Sequence, residues 1–142
     1  MPVDVIYQVT SEATGGRDGH VKSLDGAFTA SLTVPKEMGG PGGSGVNPEQ
    51  LFGSGYAACF LGAMKYLAGQ KEGVPVPSDT TVKATVGIGP RSEGGFGLEV
   101  ALEIHMPETD LADAKALVDK AHQVCPYSNA TRGNIDVKIA VI

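Results

Sequence analysis

From Asn47 to Met64 the chain reads NPEQLFGSGYAACFLGAM, with no charged side chain between Glu49 and Lys65. Asn47 suits an N-cap, Pro48 the first helical position, and Gln50 follows the cap at the spacing of a capping box, so a helix is predicted from here to about Lys71. Between Leu51 and Met64 the only polar side chains are Ser54 and the hydroxyl tip of Tyr56. A helix that is apolar all round is normally buried on all sides. One sheet of a small domain covers only part of such a helix, so a second copy of the chain is expected to cover the rest.

At 142 residues the chain is expected to form a single domain over residues 1–142, with one core. Apolar residues make up 42% and charged residues 19%, and the formal net charge is −5. An acidic surface without a basic run argues against nucleic acid or an anionic membrane as partner. The first ten residues, MPVDVIYQVT, have neither a basic start nor a continuous apolar run, so no secretory signal is read there, and their alternation predicts a strand. The longest apolar stretch, around Tyr56 to Met64, is interrupted by Gly62 and falls short of the roughly 18 residues a spanning helix needs. A soluble cytoplasmic protein is expected. Its two cysteines cannot make a multi-disulfide scaffold, which leaves buried bystanders or a redox pair.

Four segments alternate as half-buried strands do: Phe28 to Val34, Val82 to Ile88, Phe96 to Ile104 and Ile135 to Val141. GPRSEGG between the second and third marks a turn, which predicts an antiparallel hairpin. A second helix is predicted from roughly Asp110 to Cys125, with Leu111, Ala114, Leu117, Val118, Ala121, Val124 and Cys125 on one stripe and a stop at Pro126.

The loop KEMGGPGGSGV contains a formal GxGxxG match at Gly40, Gly42 and Gly45. A dinucleotide fingerprint leaves a strand and opens a helix directly, whereas here Pro35 ends the strand and Pro41 interrupts the motif, so the loop reads as a surface loop or lid. His122 and Cys125 have the best local spacing for a metal, but there is no CxxC or HExxH to complete a site. No metal or bound cofactor is expected. The local signatures of cysteine proteases are absent as well.

A free cysteine on an apolar helix face is most often a small hydrophobe. Cys59 and Cys125, however, are the only cysteines in the chain, and both lie on inward faces of helices that could pack together. A reactive cysteine needs a thiolate, and an unperturbed thiol of pKa about 8.5 is only about 3% ionised at pH 7. Cys59 lies about three turns into its helix, too far for the macrodipole to help much. Lowering its pKa by about 2.5 requires about 3.4 kcal/mol, and one arginine at about 4 Å supplies roughly 4 kcal/mol at an effective dielectric of 20. The arginines are Arg17, Arg91 and Arg132. Arg17 stands in TGGRDGH, where flanking glycines permit a tight turn, although a solvated turn residue is the plainer reading. Glu49 reads as a helix-dipole carboxylate. About 15 Å along the axis separates it from Cys59, but it could hold an arginine in a bidentate fork.

With these residues picked out, the chain resembles the organic hydroperoxide resistance branch of the OsmC/Ohr family of thiol peroxidases. The similarity runs through ATGGRDGHVKS, VPKEMGGPGGSGVNPEQLF, GYAACFLGAM, VGIGPRSEGGFGLEV and VCPYSNATRGNIDV, in the family's order. The resemblance implies an OsmC/Ohr-like intertwined homodimer of α+β fold, with antiparallel β-sheets enclosing long central helices. It implies that Cys59 is the peroxidatic cysteine and Cys125 the resolving one, with Arg17 stabilising the thiolate and Glu49 holding Arg17. It also implies organic hydroperoxides, alkyl or fatty-acid, as substrates, and an external dithiol, a lipoyl group on a carrier protein, as reductant. Two other readings of the cysteine pair stay open on the residues alone: a non-enzymatic redox sensor and a small-molecule binding module with inert thiols.

Overall fold

A computed structural model describes residues 2–142, which divide into two compact units at Pro48 and Glu49. The first unit holds a three-stranded antiparallel sheet of β1 (Ser11–Thr14), β2 (His20–Ser23) and β3 (Thr29–Ser31) in that order. Ser11 pairs with Ser23, and His20 with Ser31. The predicted strand from Phe28 to Val34 is therefore shorter than its pattern, and Leu32 instead bridges Val46 in parallel. Between β1 and β2 the chain makes a single 3-10 turn at Gly16–Asp18. Gly15 and Gly16 both have left-handed φ values, 76° and 70°, and these favour glycine.

The strand expected at the N-terminus does not form among the described residues. Ladder pairing begins at Ser11 among the described residues, and the Thr10 carbonyl accepts a hydrogen bond from the Leu24 N–H. A strand requires a neighbour to take its backbone groups, and the alternating segment before Thr10 has none assigned as a ladder among the described residues. Its apolar side chains are exposed, Ile6 by 97%. Met1, the first residue of that expected strand, lies outside the described residues.

The second unit opens on α1 (Pro48–Gly69). Its 22 residues contain no β-branched side chain, and Glu49 sits in the first turn, where a carboxylate favours the helix dipole. The hairpin β4 (Thr81–Pro90) and β5 (Phe96–His105) is antiparallel, pairing Val86 with Val100 and Pro90 with Phe96, as the sequence predicts. The chain then runs through α2 (Leu111–Val124) and α3 (Pro126–Thr131) to β6 (Val137–Val141).

Here the expectation of antiparallel sheets is corrected. β6 pairs with β5 in parallel, Val100 opposite Val137 and Ile104 opposite Val141, so the β4-β5-β6 sheet is mixed. Parallel neighbours need a crossover, and α2 with α3 provides it. Tyr56, Phe60, Met64 and Leu67 of α1 pack with Val100, Leu102 and Ile104 of β5 and with Ala114, Leu117, Val118 and Ala121 of α2 in one core. Asp110 caps α2 by accepting from the Asp113 N–H at 3.1 Å. The predicted stripe narrows at its edges, since Leu111 and Val124 are exposed. Nor is α1 buried all round within one chain: Ser54, Ala58 and Gly62 form an open face.

Candidate active site

Cys59 lies on α1 one turn after Gly55 and Tyr56. Four glycines in one helix weaken it intrinsically, but two of them permit close packing. A methyl group added at Gly53 would stand 3.2 Å from Val86 Cγ2, and one at Gly55 would stand 3.1 Å from the Tyr127 ring. The helix can thus approach β4 on one side and the start of α3 on the other. The Tyr127 ring lies 5.9 Å from that of Tyr56 and 6.3 Å from that of Phe52, which makes the surroundings aromatic.

Cys125 occupies the joint between α2 and α3. A residue before proline is pushed out of the helical region, and Cys125 has φ −64° and ψ 125°, so Pro126 ends α2 and opens α3 in one step. The predicted stop is observed, but the short helix beyond it was not anticipated. Cys125 remains fixed through its N–H to the Ala121 carbonyl, 2.9 Å, and its own carbonyl to the Asn129 N–H, 3.0 Å. Its side chain is fully buried.

This joint brings the two sulfurs to 3.7 Å. Both cysteines are free thiols, Cys59 half-buried and Cys125 buried. Burial pushes the Cys59 thiol above its ordinary pKa; the Tyr127 backbone N–H, which donates to this sulfur, acts the other way, and the neighbouring Cys125 adds to the rise. A thiolate at Cys59 therefore needs a positive charge beyond these neighbours.

The remaining expected site residues are Arg17 and Glu49. Arg17 is half-buried in the 3-10 turn of the first unit, with Nη1 3.9 Å from Met38 Sδ. Glu49 is half-buried in the first turn of α1. The two cysteines are thus placed together within one unit, while Arg17 belongs to the other.

His122, whose spacing to Cys125 resembles that of metal ligands, makes a hydrogen bond across the helices instead. Its Nδ1 lies 2.9 Å from Ser128 Oγ, and Ser128 Oγ lies 2.8 Å from the Tyr56 hydroxyl. Burial first, and then the Arg132 charge, hold the imidazole below its ordinary pKa, with Asp119 opposing. Among the described residues no group of three or more histidine, cysteine or carboxylate side chains could hold a metal. Sequence reasoning missed Tyr127, Ser128 and the Tyr56 hydroxyl. The signal was the dipeptide Cys125-Pro126, which restarts a helix as readily as it stops one.

Known proteins are similar to this chain over nearly its whole length. Residues 40–140 match the family model of OsmC-like proteins. An organic hydroperoxide resistance protein of Xanthomonas axonopodis pv. citri is 54% identical over 140 residues, covering 99% of this chain and 97% of the relative. The crystal structure of an organic hydroperoxide resistance protein from Elizabethkingia anophelis superposes with a TM-score of 0.90 at 47% identity, covering 98% of each chain. That of OhrB from Bacillus subtilis gives 0.85 at 38% identity, covering 97% of this chain and all of the other.

Proposed function

Because this chain belongs to the OsmC-like family, in its branch of organic hydroperoxide resistance proteins, we propose that it is a thiol-dependent peroxidase acting on organic hydroperoxides. The observation that carries this reading is the 3.7 Å approach of Cys59 and Cys125 in aromatic and apolar surroundings. The Cys59 thiolate attacks one oxygen of the hydroperoxide, the O–O bond breaks, and the alcohol leaves with a proton. Cys59 is left as a sulfenic acid. Cys125 displaces its hydroxyl as water, forming the Cys59–Cys125 disulfide.

Arg17 is the proposed source of the positive charge that favours the thiolate and stabilises charge developing on the departing oxygen, with Glu49 holding its guanidinium. A dithiol restores the cysteines by exchange, and a lipoyl group on a carrier protein is the proposed donor. Apolar surroundings favour alkyl or fatty-acid hydroperoxides over hydrogen peroxide. The working form is a homodimer in the cytoplasm, with a second copy covering the open face of α1. No described helix is long and apolar enough to cross a membrane. A monomeric mass at micromolar concentration would remove the dimer from this proposal.

The deciding experiment is a thiol count and intact mass on reduced protein before and after one equivalent of cumene hydroperoxide, with hydrogen peroxide in parallel. Loss of both thiols within seconds, a mass lower by about two hydrogens, and much faster reaction with the organic peroxide are expected. Survival of both thiols would leave the cysteines as core residues. Steady turnover with dihydrolipoamide separates a peroxidase from a redox sensor.

A further inference from the structure

A chain of hydrogen bonds crosses the three helices beside the sulfurs. Tyr56 on α1 is three residues before Cys59, His122 on α2 is three before Cys125, and Ser128 on α3 is three after it. On helices that spacing places each polar group one turn from a cysteine. Ser128 Oγ stands in the middle, 2.8 Å from the Tyr56 hydroxyl and 2.9 Å from His122 Nδ1. The Tyr56 hydroxyl also lies 3.3 Å from Thr131 Oγ1, which donates to the Ser128 carbonyl at 3.1 Å. Arg132 donates to the His122 carbonyl and so ties the end of α3 back to α2. Tyr56 and Ser128 have no exposed surface.

Such a network is costly to bury and is stable only when all its members are paired. Here the pairing can run in either direction. With the Nε2–H tautomer, Tyr56 donates to Ser128 and Ser128 to His122. With a proton on Nδ1, His122 donates to Ser128, Ser128 to Tyr56 and Tyr56 to Thr131. The hydroxyls therefore keep their partners whichever form the imidazole takes, and the link among the helices is retained.

We infer that His122, Ser128 and Tyr56 clamp the joint that carries Cys125 against α1, and are positioning residues for disulfide formation between Cys125 and Cys59. This deepens the peroxidase reading, on which its biological use rests. In the step concerned, the Cys125 sulfur bonds to the Cys59 sulfur, the S–O bond of the sulfenic acid breaks, and the Cys125 proton leaves with the hydroxyl as water. None of the three residues takes part in the attack on the hydroperoxide.

The test needs no hydroperoxide. Full-length wild type, Ser128→Ala, Tyr56→Phe, His122→Ala and His122→Asn are equilibrated with mixtures of reduced and oxidised dithiothreitol, and the disulfide fraction gives the effective concentration of the two thiols. Ser128→Ala, Tyr56→Phe and His122→Ala should lower it roughly ten- to a hundredfold, because a misplacement of about 1 Å is costly in an intramolecular step. His122→Asn, whose side-chain oxygen reaches the position of Nδ1, should restore most of it. The alkylation rate of Cys59 should stay within about twofold of wild type in all four, a split that general loosening of the fold would not produce.

Effective concentrations within twofold of wild type in folded Tyr56→Phe and His122→Ala would overturn the clamp. Tyr56→Phe keeps the ring and so decides the matter should Ser128→Ala fail to fold. Wild type that forms the disulfide with dithiothreitol but leaves cumene hydroperoxide untouched would sink the peroxidase reading alone, and the variants would still decide the clamp.

Discussion

The two compact units differ most in what they bury. From Glu49 onward the chain assembles a core of aromatic and aliphatic side chains on α1, β5 and α2. Among the described residues of the unit ending at Pro48, the only buried side chains are Leu32 and Ser23, while Val3, Val5, Ile6, Tyr7 and Val9 are exposed. A three-stranded sheet with one buried leucine contributes little against the entropy of ordering its chain. The thiols lie in the unit with the core, whereas the arginine proposed to activate them lies in the unit with almost none. Close positioning of two sulfurs calls for rigid packing; a long charged side chain acts over several ångströms and tolerates a looser mount.

That contrast can be broken first at the sulfur. Cys59→Ser should reduce peroxide turnover to background, a loss of roughly a thousandfold or more, measured as alcohol formed per enzyme with a dithiol present. Retained catalysis would take the nucleophile's role away from Cys59. Arg17→Ala should have the next largest effect, roughly ten- to a hundredfold in kcat/KM, because it lowers the thiolate fraction without touching the core. The pH profile of Cys59 alkylation should shift upward in that variant, and an unchanged profile would assign the positive charge elsewhere.

Stability sharpens the same comparison. Phe60→Ala should cost about 3–5 kcal/mol in urea unfolding, whereas Leu32→Ala should stay near the lower end of the range for leucine, about 2 kcal/mol. Equal losses would mean that the first unit is anchored as firmly as the second.

The smallest effects concern pH. His122, in the second unit, is held below its ordinary pKa by burial and by Arg132, so the unfolded chain takes up its proton first. Its contribution is complete above about pH 6.5 and is lost as the pH falls from there toward the folded pKa. Asp25, in the first unit, is held low by the Ser23 hydroxyl at 2.6 Å and then by the Ala27 N–H at 3.0 Å. Its contribution is present above the ordinary carboxyl pKa and disappears on acidification through the lowered value. Thermal unfolding of wild type, His122→Asn and Asp25→Asn across pH 3–8 should show two separate windows, and one shared window would deny that the groups act independently.

Much of this could be read from local pattern. The β4–β5 hairpin follows from two alternating runs and a glycine-rich turn, and α2 from its apolar stripe. The parallel placement of β6 was missed, although more than thirty residues separate it from β5, a length suited to a crossover. Alternation identifies the face of a strand but not the direction of its neighbour. The segment before Thr10 shows the converse, since its pattern is that of a strand and no ladder takes it up among the described residues.

The sequence by itself determined that Cys59 lies within the apolar helix α1 and that Cys125 follows the apolar stripe of α2, because a period of 3.6 residues is a property of neighbours along the chain; Cys125 itself stands at the extended joint after that helix. It also determined that α2 must end before Pro126, because proline constrains the residue preceding it. Only the tertiary structure decided that the sulfurs meet at 3.7 Å, that the Tyr127 N–H points at one of them, and that His122 turns to Ser128. Those distances depend on how closely α1 approaches α3, which rests on the missing side chain of Gly55 and on the packing of residues about seventy positions apart.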